Sequence, residues 1–570
     1  MATPAAAPAG TLRYASARGR WVLLATVLGS AMASIDATVV GIALPAIGRD
    51  FHAGLAALQW VVTAYTLTLA GLLLLAGALG DRYGRRKVFL IGVVWFAIAS
   101  ALCGIAPNAP FLIGARALQG VGAALLTPGS LAILQASFRP EDRGKAIGAW
   151  SGLSGVGTAI GPFLGGWLIQ AVSWRLIFAI NLPMAVLVVV VARRHVPESR
   201  DTSLTGRVDL VGGVLVTLGL IGLTYGLIEG ANGWTKPAPL TALTAGVVLL
   251  AAFIAYERRH TAPLLNLKLF ASTQFTAANT VTFIVYAALG GTLFLLPIQL
   301  QQVSGYTALE AGISLLPVTV IMLLLSARSG ALAARIGPRL QMTVGPLLLA
   351  VGLALFGRIG PSGNYVIEVL PAVLVFGLGV AANVAPLTTT VLAAVPAEHA
   401  GMASAVNNDV ARAASLIAVA VLPAAAGLSG SSYLHPAQFS AGFHTASYIS
   451  AGLCVFGGLL AALTIRNPAR PAAAPAPAAA ISAGAPAAAV SPSSPAFGQG
   501  LACGLDAPPP PNASALTAAF PPPPFPSAFG QIRIGRDNSK KREALASVLK
   551  ARPVIGQWLE LKGWPVCNGL

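Results

Sequence analysis

Three carboxylates of this sequence stand within long apolar runs: Asp36, Glu229 and Asp409. Arg116 stands in another such run. A charge in hydrocarbon costs at least about 2.5 kcal/mol, so a chain that keeps one has a use for it. Asp409 precedes Arg412 by three residues, on one helical face, and the two read as a neutralised structural pair. Glu229 ends its run and reads as an interfacial residue. Asp36 has no partner in its own run and is the strongest candidate for a group that takes up and gives back a proton. No other chemistry is written here. Cys103, Cys454, Cys503 and Cys567 have neither metal-site nor disulfide spacing. The histidines fall in loops or near helix ends. There is no phosphate loop, zinc constellation or nucleophile elbow. An enzyme, a metal centre, a cofactor and an ATP-driven pump are therefore not expected.

The elements that must position these charges are membrane helices. Of 570 residues, 56% are hydrophobic and 9% charged, with a mean hydropathy of +0.76. A soluble domain carries about 25% charged residues. Fourteen segments are long enough to span, at about 21–47, 58–79, 88–106, 109–134, 146–171, 176–192 and 210–229, then 240–256, 276–300, 308–326, 340–357, 366–395, 401–428 and 442–465. The first is too long for a signal-peptide core and reads as a retained anchor. The net charge of +18 does not point to nucleic acid, because the basic residues alternate between loops. Arg82, Arg85, Arg86 and Lys87 fall in one loop. Arg139, Arg143 and Lys145 fall in the next loop on that side, and Arg328, Arg335 and Arg339 in a later one. Loops of the opposite parity hold only Arg49, Arg175, Lys236 and Arg358. The basic side is the cytoplasmic side, and both termini are expected there.

The chain also repeats itself. GALGDRYGRRK at 77–87 recurs as GALAARIGPRL at 330–340, after the second and the tenth segments. The expected organisation is a cytoplasmic N-terminus (1–20), a six-helix half (21–195), two inserted helices (209–257) and a second six-helix half (275–466). Residues 467–570 form a tail. It is dominated by Ala, Pro, Ser and Gly up to about residue 526, which reads as disordered. A short helix is conceivable around 542–550. Duplicated halves are a secondary-transporter architecture, with the substrate site between them.

These features resemble the major facilitator superfamily, and within it the drug:proton antiporter branch with fourteen spans. The resemblance covers about residues 20–466. The first motif supplies Gly77, Asp81, Arg82, Gly84, Arg85 and Arg86, a cytoplasmic gate in that family. The resemblance implies that Asp81 latches onto a helix start of the other half, here near Gly401 to Ser404. A plain basic loop would explain the arginines but not Asp81 and the glycines. The second copy has Ala334 at the matching place, so the latch is one-sided. LIGARALQGVGAA at 112–124 carries the family's arginine and glutamine as Arg116 and Gln119. GVGTAIGPFLGGWL at 155–168 is the pattern of proton-exchanging exporters, through Gly157, Gly161, Pro162, Gly165 and Gly166. Its glycines at four-residue intervals also form a face for close helix packing. SIDATVVGIALP, WRLIFAINLP and PLLNLKLF match further; Gly41 stands where the family usually has Asn.

The resemblance implies an all-α membrane protein of fourteen spans that exports small, mostly apolar or amphipathic molecules, such as drugs or antibiotics, in exchange for protons. A dedicated exporter of one endogenous metabolite is the alternative, and a transporter-like receptor a more distant one. The expected partners are the substrate, protons and the bilayer of the cell membrane, with a monomeric chain. At about 1.5 Å per residue, Asp36 lies about 22 Å from the inner end of its helix and Arg116 about 10 Å from the outer end of its own. In a core of about 30 Å both fall in the outer half. In that family the first and fourth helices both line the central cavity, so Asp36 and Arg116 are expected to meet, directly or through water. Proton and substrate would then compete for one charged site. Tyr286, Phe294, Gln299, Asn383 and Asn407 are candidates to line the cavity, with Gln119.

Overall fold

The computed structural model describes residues 10, 12–201, 208–231, 233, 235–260, 263–396, 400–430, 433 and 435–467. The expectations for the tail lie outside the described residues. The helices are α1 (Ala17–Asp50), α2 (Leu55–Tyr83), α3 (Arg85–Gly104), α4 (Ala109–Ser137), α5 (Pro140–Ala171), α6 (Leu176–Ala179), α7 (Asn181–His195), α8 (Leu210–Gly230) and α9 (Pro237–Glu257). They continue as α10 (Thr273–Ile298), α11 (Ala308–Ser314), α12 (Leu316–Ile336), α13 (Pro338–Phe356), α14 (Leu370–Ala393), α15 (Ala400–Ala425) and α16 (Pro436–Thr464). Fourteen spans result among the described residues, because α6 with α7 and α11 with α12 each make one. Both breaks have a proline cause. Pro183 and Pro317 stand in the first turns of α7 and α12, where each lacks the amide that would continue the helix.

The helices run further than the apolar runs. Arg328 and Arg335 belong to α12 rather than to a loop, and Arg143 and Lys145 belong to α5. Polar side chains at a membrane surface meet water, so nothing stops the backbone ladder there. Breaks come instead where the backbone turns. Gly84 (φ 114°) separates α2 from α3, and Gly337 (φ 87°) separates α12 from α13. Both are the eighth residue of the repeated motif, and a side chain rarely adopts such a backbone.

Within the first six spans, α1 packs on α5 and α7, and α4 on α2 and α3. Within the last six, α13 packs on α14 and α16, and α10 on α15 and α16. α8 and α9 form a hairpin whose first helix lies against α2 and α15. The two sets meet at the end away from the basic loops. Val40, Leu44 and Ile47 share one core there with Leu295, Ile298 and Phe443. Gln59 Nε2 donates to the Val419 carbonyl at 2.7 Å, and Gln301 Nε2 to the Ile42 carbonyl at 2.9 Å. Tyr433 accepts from Gln302 Nε2 at 2.7 Å and fills the space beside Gly48. Burial raises the pKa of its hydroxyl, which stays neutral. At the basic end, a cavity lies between α14 and α15 beside Leu392 and Ser404, and Gly144, Gly148, Gly152 and Gly155 of α5 and Gly401 of α15 have nothing within 4 Å of a Cβ. The structure is closed at one end and open at the end that carries the basic loops.

Candidate proton and substrate sites

Asp36 and Arg116 meet. Arg116 Nη1 lies 2.5 Å from Asp36 Oδ2, and both side chains are 1% exposed. The pair is the centre of a network drawn from five spans. Gln119 Nε2 donates to Asp36 Oδ1 at 2.8 Å, and its Oε1 accepts from Arg116 Nη1 at 2.5 Å. Arg116 Nε donates to the Val61 carbonyl at 3.1 Å, and the guanidinium lies 4.3 Å from the centre of the Tyr65 ring. Asn181 Nδ2 donates to Ser100 Oγ at 2.9 Å and to Asp36 Oδ1 at 3.4 Å. Ser100 donates onward to the Phe178 carbonyl at 2.9 Å. Arg116, Gln119 and Asn181 each donate to the Asp36 carboxylate.

Asn181, Ser100 and Tyr65 were not singled out by sequence reasoning. Asn181 lies in the WRLIFAINLP stretch, and a buried Asn in an apolar helix was the available signal. Gln119 belongs to this network rather than to the cavity. Asp36 and Arg116 are buried and do not line the cavity in this conformation.

The cavity has a volume of about 430 Å³. Its walls are α10 (Tyr286), α14 (Val384 to Leu392) and α15 (Ser404 to Ser415), with Thr66 of α2 closing one side. It extends from mid-membrane towards the loop between α14 and α15, on the basic side. Tyr286 and Asn407 line it as expected; Phe294, Gln299 and Asn383 do not. Phe294 is packed into the shared core at the closed end. Gln299 is turned away and bonds the Ile359 carbonyl and Ser440. Asn383 faces α13, where Gly345 leaves room for it. Thr66 and Tyr65 are adjacent in α2, so one wall residue borders the cavity and its neighbour stacks on Arg116.

The expected Asp409–Arg412 pair is not formed. No ion pair joins them within 4.0 Å among the described residues, and Asp409 Oδ1 and Arg412 Nε both lack hydrogen-bond partners. Arg412 turns into the cavity wall instead. Glu229 ends α8 and accepts from the Trp60 indole at 3.3 Å.

Asp81, in the last turn of α2, accepts from Arg85 Nε at the start of α3 at 2.8 Å. The latch to the start of α15 is not made among the described residues, because that end of the molecule is open. The loop is held instead by the segment after α7. The Glu198 carboxylate accepts from the amides of Arg86 and Lys87 at 3.0 and 3.1 Å, capping the start of α3. Ser199 accepts from the Arg85 amide at 2.8 Å. Sequence reasoning missed Glu198.

The glycine motif serves two interfaces. A Cβ at Gly157 would stand 3.1 Å from Ala31, and one at Gly165 2.6 Å from Val39, both on α1. One at Gly161 would strike Thr38. Gly166 faces the other way: its Cβ would lie 2.7 Å from the Leu309 Cα of α11. Gly312 of α11 packs in return against the Pro162 backbone. Thus α5 is held to α1 by one row of small residues and to the last six spans by another.

The model of the Major Facilitator Superfamily matches residues 26–420. The chain belongs to this superfamily. It is 39% identical over 402 residues to the multidrug resistance protein Stp of Mycobacterium tuberculosis, covering 70% of this chain and 74% of that one. It is 36% identical over 408 residues to the tetracenomycin C resistance and export protein of Streptomyces glaucescens, covering 71% and 76%. The puromycin resistance protein of Streptomyces alboniger is 37% identical over 409 residues, covering 70% and 80%. Among solved structures, a D-xylose–proton symporter aligns with a TM-score of 0.56 at 16% identity, over 79% of this chain and 98% of that one. A bacterial homologue of the lysosomal transporter Spinster, inward-facing and unoccupied, aligns with 0.56 at 16%, over 79% and 97%. These two likenesses show the shared transporter fold. The superfamily and the fold belong to transport of small molecules across a membrane rather than to catalysis.

Proposed function

We propose that this chain is a proton-coupled exporter of small, mostly apolar or amphipathic molecules such as antibiotics, and that Asp36 carries the proton. The observation that carries this reading is the fully buried Asp36–Arg116 pair in a half that has its own sealed polar network. Relatives named for multidrug, tetracenomycin C and puromycin resistance support the substrate class.

The basic loops support a cytoplasmic open end, so substrate enters the cavity from inside. In this state three donors surround the Asp36 carboxylate. Closing the open end rocks the two sets of spans about the cavity. α5 grips α11 through Gly166 and Gly312 and grips α1 through Gly157, Gly161 and Gly165. That motion is therefore passed to the helix that bears Asp36. Parting Asp36 from Arg116 removes the partner of its charge and favours proton uptake from outside. Tyr65 and Thr66 set the two events on neighbouring faces of one helix, about 100° apart.

An antibiotic efflux screen in a susceptible host supplies the substrate. Asp36→Asn in proteoliposomes is then expected to abolish proton-gradient-driven accumulation and to keep substrate binding. Normal accumulation by this variant removes Asp36 from the proton path. A cysteine replacing Arg139 should react with an impermeant thiol reagent only from the inside.

A further inference from the structure

One charged group lies outside that scheme. Arg412 is the sole ionisable side chain other than Tyr286 among the residues lining the cavity, and no carboxylate is among them. It forms no ion pair within 4.0 Å among the described residues, and its Nε is buried without a hydrogen-bond partner. Asp409, three residues earlier on α15, does not line the cavity and does not bond it. Arg116, the fully buried guanidinium of the bundle, has its acid, a glutamine, a backbone carbonyl and an aromatic face. Arg412 has the cavity.

A guanidinium at membrane depth is costly unless something answers its charge. Among the described residues no carboxylate bonds it, so its donors are left for a ligand. We propose that the transported compounds carry an acidic group, a carboxylate or a phenol or enol ionised near neutral pH, and that Arg412 holds it and sets this specificity. The assignment rests on the reading of the cavity as the substrate site. A guanidinium offers two parallel donors to a planar anion, which gives orientation as well as attraction. Asn408 and Ser404 stand one and two turns before Arg412 on α15 and add neutral polar contacts. Val384, Val391 and Leu392 of α14 form an apolar wall for the rest of the molecule. A cationic compound would meet a like charge with no carboxylate lining the cavity to receive it.

The test uses three matched probes: dansylglycine (a carboxylate), dansylglycinamide (neutral) and a dansyl trimethylammonium of similar size. Binding to the purified full-length protein is read by energy transfer from tryptophan. The wild type should bind the carboxylate at least about tenfold more tightly than the amide, with the ammonium weakest. Arg412→Gln should bring carboxylate binding down to the level of the amide and leave the amide unchanged, which also shows that the variant is folded. If Arg412→Gln loses the amide as well, Arg412→Lys decides: a retained carboxylate preference supports the assignment, and its loss overturns it. Equal binding of carboxylate and amide by the wild type, a preference for the ammonium, or an undiminished carboxylate preference in Arg412→Gln each overturn it. Gradient-driven uptake of the same probes into proteoliposomes tests the exporter reading separately. Selective binding without uptake sinks that reading and leaves the anion site standing.

Discussion

Glu198 and Asn467 occupy the same position in the two repeats of this chain. Each follows the last helix of its set of six spans. Glu198 accepts from the amides that open α3, just after Gly84, and Asn467 Oδ1 accepts from the Arg339 amide at 3.0 Å, just after Gly337. The repeat visible in the sequence is thus a repeated clasp, in which the end of each set caps its own third helix.

Removing either cap exposes amides at a helix start, at about 1 kcal/mol each. Glu198→Ala and Asn467→Ala are expected to lower the thermal midpoint of the detergent-solubilised protein. Glu198→Ala should do so more, because it also loses the Arg86 side chain at 3.7 Å. Gly84→Ala should be worse again, since its backbone is left-handed and its Cβ would meet the Glu198 carboxylate at 2.8 Å. Thermal unfolding curves for the three variants check this order.

Asp81→Asn should separate stability from turnover. The Asp81–Arg85 pair is part-exposed, and such pairs contribute about 0–1 kcal/mol. The thermal midpoint should stay near that of the wild type. Efflux should fall at equal membrane abundance if Asp81 closes the cytoplasmic end in the other conformation. Full efflux would leave the latch without support.

Asn181→Leu keeps a side chain of similar size and takes a donor from Asp36 and Ser100. The loss of a hydrogen bond to a buried charge is worth about 1.5–3 kcal/mol, so gradient-driven transport should drop by about tenfold or more. Substrate binding should be unchanged, because Asn181 is sealed from the cavity. A parallel loss of both would show a folding defect instead.

Gly166→Leu and Gly312→Leu should abolish transport without preventing insertion, since each puts a side chain into a backbone-to-backbone contact. The closed end should loosen, and a cysteine replacing Gln59 there should become reactive to an impermeant thiol reagent. Gly114→Leu, with open space around it, is the control and should transport normally.

The fourteen spans, their alternation and the duplication were legible in the sequence, because each is a local property. A residue in hydrocarbon must be apolar whatever stands beside it, and a basic loop is retained on one side by charge alone. The meeting of Asp36 and Arg116 was also within reach, since depth follows from residue count and the family resemblance supplied the helix pairing. What surrounds that pair was not. Asn181, Ser100 and Tyr65 come from three other helices, and which face each helix turns inward depends on its neighbours rather than on its hydropathy. The same reason explains the misplaced cavity residues: Phe294, Gln299 and Asn383 are suitable by type, yet rotation about the helix axis sends them into the core. Asp409 and Arg412 share a face by spacing, but the cavity beside them draws the guanidinium away. Which end of the molecule is open, and which row of glycines meets which helix, was decided by packing between spans far apart in the chain, where hydropathy is nearly uniform and carries no direction.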